Sequence, residues 1–516
     1  MTGLLLALIH LCWQAPCEGA ATAPPIGEIE IDRKEIFDTS REDEDHWIFR
    51  LANTLHIATR ETVIRHELLF APGDRLDPEL LAQTERNLRA YSFLRNARVS
   101  HSPGQDGRAR VKVETWDSWS TELQLGFATA GDLQTWMIGV AEKNLLGRGK
   151  HLEAARRSDI DRDSTTLLYR DPRIAGWRLA GEVVFSDFSD GRFAGVGLRS
   201  PFYSTLTPWG FSFGLNGYDR LDPLYTGGEK VSELRHVHRG GDFEFTRALA
   251  RSSASATRLH LAYRRWEDEV DSDLRSFGVI EAGLSLRRHR YLKLTHVNAF
   301  EKPEDFNLGQ EAAAFFGVSA EALGGEPGNV FFAFLEEKRG FLLGQERFLL
   351  GRLAWRARYR QGQIENSLAV AQADYYHKVS PRRLIAASAQ LRYGTRLDPE
   401  IQLSLGADTG LRGYPVRQFT GDRSLLLTAE HRWFVADEIA RLISVGLAGF
   451  VDAGYVWPEG ESLALGDLRA DLGVGLLIGR NRLSSRSGVR LDLGYALSPV
   501  PGRSRWLFSA GSQIGF

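Results

Sequence analysis

The chain has 516 residues, of which 43% are hydrophobic and 25% are charged, and its formal net charge is −2. This charge argues against a nucleic-acid-binding protein, for which a basic excess is expected. The mean hydropathy of −0.26 and the lack of any run of about 18 apolar residues exclude a helical membrane protein. The 52 glycines and 54 aromatic residues (28 Phe, 14 Tyr and 12 Trp) suit a β-barrel instead, because half of each lipid-facing strand is polar and lowers the hydropathy.

Residues 1–23 have the features of a secretion signal. A short apolar stretch, 4–13, precedes small residues at 19–23 that suit signal cleavage; a buried N-terminal strand is the alternative interpretation. Cys12 and Cys17 both lie in this segment, so the predicted mature chain contains no cysteine. We therefore expect no disulfide, no thiol catalyst and no cysteine metal site.

Residues 24–117 mix helical and strand periodicity, which predicts one small α/β domain of roughly ninety residues. The expected elements are, in order, a strand near residue 30, a helix capped by Thr59, a short strand, a helix capped by Asp77, and two strands at 93–99 and 109–114. The second helix has the clearest signal, because Pro78 follows its capping aspartate.

Residues 118–516 lack helical periodicity and consist of alternating segments about ten residues long, which predict a transmembrane antiparallel β-barrel of about 16 strands. The apolar faces of the last five segments end in aromatic residues, where interfacial girdles would lie. The opposite faces carry charges that we expect to line the lumen: Glu430, Arg432, Asp471, Arg490 and Asp492. A soluble β-sandwich would also alternate, but its exterior does not require complementary charges in consecutive strands. The fold class is therefore mainly β.

The C-terminus resembles the β-signal of outer-membrane proteins, since Ser509, Gly511, Ile514 and the terminal Phe516 stand at its spacing. In such proteins the signal is read by the machinery that inserts barrels. The resemblance implies that this machinery is a partner during assembly of the chain. It also implies a location in the outer membrane of a Gram-negative cell, in contact with the lipid bilayer.

Two further motifs resemble the BamA/TamA outer-membrane assembly superfamily. The Arg-Gly-aromatic tip of that family's barrel-inserted loop is matched within residues 406–423 by Leu411, Arg412, Gly413 and Tyr414. Its Phe-x-Asp-x-Gly element is matched in a following strand by Phe450, Asp452 and Gly454. The resemblance implies that the loop folds back into the lumen. There we expect the Arg412 guanidinium to meet Asp452 through two parallel hydrogen bonds.

The rest of the chain resembles the same superfamily less specifically. Residues 144–149, Asn-Leu-Leu-Gly-Arg-Gly, resemble its second barrel strand and turn, and residues 24–117 resemble a POTRA domain in the order of their elements. The resemblance implies a periplasmic POTRA domain followed by a barrel of the bacterial surface antigen type. One departure is that this chain has room for a single POTRA domain, whereas relatives that insert barrels carry several.

The function implied by the resemblance is assembly, insertion or translocation of unfolded outer-membrane or secreted polypeptides. The closing strands are expected at 121–127 and 505–516. Gly126, Gly511 and Gly515 would either loosen this seam, since glycine weakens a strand interior, or fit the barrel curvature. Two alternatives are a two-partner-type pore that exports one polypeptide and a passive or structural barrel with a role in outer-membrane lipid handling.

The sequence contains no motif that predicts an enzyme active site. No nucleophile elbow, zinc-protease motif or phosphate loop is present, so we expect no catalytic, cofactor-binding or metal site. His236 and His238 share one strand face, but with no third ligand in view we interpret them as exposed strand histidines.

Overall fold

The computed structural model describes residues 23–104, 107–130, 133–480, 482 and 488–511. These residues form an N-terminal α/β unit, residues 24–117, followed by a large antiparallel β-barrel. No helix in these ranges is both long and apolar enough to cross a membrane. Residues 1–22 of the predicted secretion signal lie outside the described residues.

The N-terminal unit packs helices against a three-stranded sheet. In the described residues its elements are β1 (Ile26–Lys34), α1 (Trp47–Leu55), α2 (Glu61–Glu67), α3 (Pro78–Ala90), β2 (Leu94–Pro103) and β3 (Ala109–Asp117). The central strand β3 is parallel to β1 and antiparallel to β2. Asp77 caps α3 as expected, because its side chain accepts hydrogen bonds from the backbone N–H groups of Glu79 and Leu80. Ile64, Leu81, Leu88 and Val113 belong to the core between the layers.

The N-terminal unit differs from the sequence-based expectation in three elements. The short strand expected between two helices is not present in the described residues; Phe70 is buried there in the core without strand pairing. Helix α1 was not expected, because it has only nine residues and no side chain caps its start, so the usual signals of a helix terminus are missing. Helix α2 begins one position later than expected, with Arg60 rather than Thr59 as its N-cap residue.

The barrel follows β3 directly. Its strands, with the two short hairpins inserted between them, are β4 (Thr121–Ala130), β5 (Leu133–Leu145), β6 (Lys150–Ser158), β7 (Asp163–Asp171), β8 (Ala180–Phe188), β9 (Gly191–Ser200), β10 (Trp209–Thr226), β11 (Glu229–Arg251), β12 (Ser255–Val270), β13 (Asp273–Arg288), β14 (Tyr291–Leu294), β15 (Glu304–Asn307), β16 (Gln310–Ser319), β17 (Val330–Gly344), β18 (Arg347–Arg360), β19 (Gln363–Ser380), β20 (Arg383–Thr395), β21 (Leu403–Leu405), β22 (Phe419–Gly421), β23 (Arg423–Ile439), β24 (Ile443–Trp457), β25 (Arg469–Arg480), β26 (Val489–Ala496) and β27 (Trp506–Gly511). Strands β14–β15 and β21–β22 form separate two-stranded sheets, and the others close the barrel in chain order.

The barrel contains 20 strands in the part of the chain that the structure describes, so the expectation of about 16 was wrong. The extra strands fit because several hairpins between β6 and β20 are joined by very short turns. Gly227 and Gly228, which join β10 to β11, both have positive φ angles of 63° and 82°, as two-residue turns of type I′ require. Gln361 and Gly362 join β18 to β19 in the same way, with φ angles of 48° and 84°. Short turns leave more of the chain for strands.

The connections alternate between the two ends of the barrel, because each strand is antiparallel to the next. We call the end that holds the N-terminal unit the near end and the opposite end the far end. Two long connections carry the inserted hairpins. Residues 289–309, which include β14 and β15, form the near-end plug, and residues 396–422, which include β21 and β22, form the lumen loop.

The barrel wall is apolar outside and largely polar inside. In β24, Ile443, Leu447 and Val451 are exposed on the outer face, whereas the intervening Ser444 and Asp452 are buried on the inner face. Similar exposed Leu, Val, Phe and Trp side chains occur along most barrel strands. An apolar outer band around a polar interior is typical of a barrel that spans a lipid bilayer.

We predict that the two ends of the barrel lie on opposite sides of the outer membrane, with the near end in the periplasm. Ser462→Cys is in the exposed far-end connection between β24 and β25, and Gln345→Cys is in the exposed near-end turn between β17 and β18. On whole cells, an impermeant maleimide should label position 462 and not position 345. Permeabilised cells, in which both should react, are the control. Labelling of position 345 alone on whole cells would invert the orientation.

Candidate functional site

Strands β23 to β26 bring together the charged residues that the sequence predicts for the lumen wall. At most 8% of the surface of each is exposed: Glu430, Arg432, Asp471, Arg490 and Asp492. They lie on β23, β25 and β26, and the intervening β24 adds Asp452, which is directly opposite Asp471 in β25. Buried charges are costly unless they are paired, so this wall requires partners.

The lumen loop supplies one of these partners. It enters from the far end and folds into the barrel, where Leu411 and Tyr414 are completely buried and pack with Leu405 and Ala496. The hydroxyl oxygen of Tyr414 lies 2.9 Å from the carbonyl oxygen of Ala470 and 3.1 Å from that of Ser498. These contacts fix the tip of the loop against the wall.

Arg412 makes the central contact of the lumen loop. Its Nε and Nη2 donate to the two carboxylate oxygens of Asp452, each at 2.7 Å, and its Nη1 donates to Glu430. The guanidinium carbon lies 3.7 Å from the centre of the Phe450 ring. The structure therefore places Arg412 and the Phe-x-Asp-x-Gly element in one contact, with the parallel geometry that suits a guanidinium and a carboxylate.

The glycines of the two motifs allow the loop to approach the wall. A Cβ atom on Gly413 would lie 2.6 Å from Cβ of Asp471, and one on Gly454 would lie 2.8 Å from Cδ1 of Leu405. Neither position has room for a side chain. The motif glycines are thus explained by close packing between the lumen loop and β24–β25.

Glu430 joins three guanidinium groups inside the barrel. Besides Arg412, it pairs with Arg432 at 2.7 Å and with Arg490 at 2.7 Å. Arg490 also pairs with Asp492 at 2.7 Å. We call the set Arg412, Glu430, Arg432, Asp452, Arg490 and Asp492 the lumen charge cluster.

The near-end plug lies in the half of the lumen next to the N-terminal unit. The sequence did not predict it. Its buried side chains Val297, Phe300 and Leu308 pack on a set of apolar residues that point inward from the wall: Phe348, Tyr376, Leu384, Phe434 and Leu477. A Cβ atom on Gly479 would lie 2.3 Å from Cδ2 of Phe300, so this contact is tight. The available sequence signal was the break in alternation around Pro303, between β13 and β16.

Two side chains of β23, Arg432 and Glu430, link the near-end plug to the lumen loop. Arg432, which is fully buried, donates from Nη1 to the carbonyl oxygen of Val297 at 2.9 Å and to Oδ1 of Asn298 at 3.2 Å. Its Nε donates to Glu430, which also binds Arg412. The near-end plug and the lumen loop are therefore connected by a continuous chain of polar contacts through the barrel wall.

The N-terminal unit contacts the near-end plug through two ion pairs and a hydrogen bond. Arg89 of α3 donates from Nη2 and Nε to Asp305 at 2.7 and 2.9 Å, and Lys293 pairs with Glu85 at 2.9 Å. Lys302 donates to the carbonyl oxygen of Leu94 at 3.2 Å. The near end is thus closed by the plug and covered by α3.

The turn between β5 and β6 is a second docking point for the N-terminal unit. Nδ2 of Asn144 donates to Oγ1 of Thr59 at 2.9 Å, and the backbone N–H of Arg60 donates to the carbonyl oxygen of Gly147 at 2.9 Å. Gly147 has a φ of 70°, and a Cβ atom there would lie 2.5 Å from the carbonyl oxygen of Ala58. The glycine-rich turn seen in the sequence therefore serves this contact.

The barrel closes between β27 and β4. Among the described residues, which end at Gly511 in β27, the two strands pair at Ser509 and Ala130. Gly126 lies in β4 and Gly511 in β27. Gly515 and the β-signal residues Ile514 and Phe516 lie outside the described residues.

Two histidines differ from the sequence-based expectation. His236 is buried rather than exposed, with Nδ1 2.7 Å from Oδ2 of Asp222. His238 is partly buried, with Nδ1 2.7 Å from Oδ1 of Asp268. Alternation along β11 located their common face, but it did not distinguish the lumen from the exterior.

The far half of the lumen contains a cavity of about 650 Å³ between the wall and the lumen loop. Its lining includes both signs of charge: Glu153, Arg157, Asp161, Arg162, Arg220, Asp222, Glu400, Asp408 and Arg417. Arg417 of the lumen loop pairs with Asp161 of the connection between β6 and β7 at 2.7 Å, so an ion pair forms part of this lining.

Three solved structures are similar to this chain over most of its length. BamA from Haemophilus ducreyi lacking POTRA domains 1–3 is 12% identical, covers 94% of this chain and 84% of its own length, and has a TM-score of 0.40. CdiB from Acinetobacter baumannii is 14% identical over 95% of this chain and 73% of its own, with a TM-score of 0.42. CdiB from Escherichia coli is 13% identical over 94% and 76%, with a TM-score of 0.45. No family model and no curated protein matches the chain.

We predict that Arg412 and Asp452 stabilise the barrel as a unit. Arg412→Ala strands Asp452 and removes one partner of Glu430, so a loss of about 3–5 kcal/mol is expected. The Arg412→Ala, Asp452→Ala double mutant should be scarcely less stable than Arg412→Ala alone. Arg412→Lys should restore little, because lysine lacks the planar fork. The measurement is the temperature at which the folded band shifts on gels.

Arg417→Ala is the matched control, because it removes an ion pair of the same loop outside the lumen charge cluster. Its effect should add to that of Asp452→Ala. Additivity between Arg412→Ala and Asp452→Ala, or wild-type stability of Arg412→Ala, would contradict the coupling.

Proposed function

We propose that the protein is an outer-membrane barrel that assists the assembly or insertion of other outer-membrane polypeptides through a lateral seam between β27 and β4. The N-terminal unit acts as a single POTRA-like domain in the periplasm. The observation that carries the proposal is the occupied lumen: the near-end plug and the lumen loop enter it from both ends and are linked through Arg432 and Glu430.

Export of a polypeptide through the lumen would require removal of the plug. Exposing Val297, Phe300 and Leu308 would cost roughly 1.5–3 kcal/mol for each side chain. Arg432 would in addition lose its contacts with the plug while remaining inside the barrel. The lumen route therefore carries a large energetic cost before any substrate enters.

We place the opening at the seam because Gly126 lies in β4 and Gly511 in β27, and glycine weakens a strand interior. An unpaired strand edge is costly in lipid, because its N–H and C=O groups have no partners there. Such an edge can instead pair with an incoming strand, which is the reaction that barrel assembly requires.

We predict that locking the seam abolishes function and that locking the plug does not. Ala130→Cys with Ser509→Cys joins positions that face each other across the seam. Phe300→Cys with Gly479→Cys joins the plug to the wall. A Cβ atom on Gly479 would lie 3.1 Å from Cγ of Phe300, the place that the sulfur of Phe300→Cys would take, which is a distance that suits a disulfide. Each variant is introduced into cells that lack the wild-type protein, and the outer-membrane proteome is compared with and without reductant.

The control lock is Ala387→Cys with Ala429→Cys, which face each other in β20 and β23, away from the seam. Wild-type proteomes are expected for the control and for the plug lock, and depletion of outer-membrane proteins for the oxidised seam lock. The reverse pattern, with an inactive plug lock and an active seam lock, would support polypeptide export through the lumen. An unchanged proteome with every lock and with the deletion would favour a passive barrel.

A further inference from the structure

Helix α1 carries an apolar surface that nothing in the N-terminal unit covers. Its side chains Trp47, Ile48, Leu51 and Leu55, with Ile57 just after the helix, are between 48% and 70% exposed. In the described residues that precede Trp119, these five are all of the exposed large apolar side chains. So concentrated a patch marks an interaction surface.

The orientation of α1 is fixed by its other face. The ring of Phe49 stacks on Phe37, with centroids 4.1 Å apart and planes 8° from parallel. Asn53 donates from Nδ2 to the carbonyl oxygen of Phe37 at 2.8 Å and accepts from its backbone N–H at 3.2 Å. Because this face is held in place, the apolar face remains directed away from the N-terminal unit.

The segment that contains α1 is anchored to the near end of the barrel, beside the seam. Arg482, in the connection between β25 and β26, pairs with Glu44 at 2.9 Å and donates to the carbonyl oxygen of Ile36 at 3.0 Å. His56, directly after α1, lies 2.9 Å from Asp117, which ends β3 just before the first barrel strand. These residues are buried, so α1 has a defined place next to the wall.

The outer apolar surface of the barrel wall begins close to the place where the segment containing α1 contacts the barrel. Arg441, in the turn between β23 and β24, pairs with Asp43, and the next two residues, Leu442 and Ile443, are exposed. On β4, Leu123 and Leu125 are exposed as well. The uncovered face of α1 therefore lies at the margin of the surface that faces lipid if the barrel spans the bilayer.

We propose that α1 docks on the phospholipid leaflet at the near end, with Trp47, Leu51 and Leu55 inserted at the boundary between headgroups and acyl chains. The inference rests on the membrane placement in the proposed function. A short helix with one apolar face and an aromatic residue has the composition of an interfacial helix. It would hold the N-terminal unit against the bilayer beside the seam.

The test uses the full chain, with Cys12 and Cys17 replaced by serine, reconstituted in phosphatidylcholine vesicles that contain phospholipids brominated on the acyl chains. An environment-sensitive fluorophore is placed at Leu51→Cys or, as a second variant, Leu55→Cys. Emission from either position should fall by about half relative to unbrominated vesicles if the helix lies at the acyl-chain boundary. Glu42→Cys, exposed in the loop before α1, is the matched control and should be unaffected.

Leu447→Cys on the outer face of β24 reports separately on the barrel. Quenching at position 447 but not at 51 or 55 would overturn the α1 proposal and leave the membrane placement intact. No quenching at 447 would contradict the membrane placement itself. If 51 and 55 are quenched no more than 42 but change emission when an unfolded outer-membrane polypeptide is added, the face binds polypeptide and the lipid proposal is wrong.

Discussion

The pairing of Glu430 is the interaction on which the filled lumen depends. A fully desolvated carboxylate is tolerated only with good partners, and here they are Arg412, Arg432 and Arg490. Arg412 belongs to the loop from the far end, and Arg432 holds the backbone of the near-end plug at Val297. Since one carboxylate pairs both with the arginine of the lumen loop and with the arginine that holds the plug, the two insertions are energetically coupled even though they enter from opposite ends.

The part of this arrangement that the sequence could predict is the part governed by alternation. In β23 and β24 a period of two assigns Glu430 and Asp452 to one face, and a buried charge of one sign implies a partner of the other. The motif around Arg412 supplied that partner. The plug could not be found in this way, because Phe434 and Leu477 are apolar residues on the lumen side. Alternation assumes that the inner face is polar, and a lumen that contains its own hydrophobic core breaks that assumption.

Helix α1 and the strand count were missed for related physical reasons. Helix α1 lacks a capping side chain. Its apolar stripe of Trp47, Ile48, Leu51 and Leu55 is exposed, whereas Phe49 on another face is buried, so the stripe does not identify the face that packs on the N-terminal unit. Strand number depends on the length of the connections, and a pair such as Gly227–Gly228 reverses the chain within two residues. Local patterns locate strands well, but they do not show which apolar face packs on protein and which would contact lipid.

The contacts of the N-terminal unit place a constraint on any opening of the seam. On one side of the seam the unit binds the β5–β6 turn through Arg60 and Gly147. On the other side it binds the β25–β26 connection through Glu44 and Arg482. The backbone N–H of Trp119, just before β4, also donates to the carbonyl oxygen of Arg482 at 2.8 Å. The unit therefore bridges the seam at the near end. Separation of β27 from β4 there must break a buried ion pair, whereas no contact of the unit with the described residues of the far end opposes it. A lateral opening would thus begin at the far end, or would require the N-terminal unit to move first, which links the position of this unit to the state of the wall.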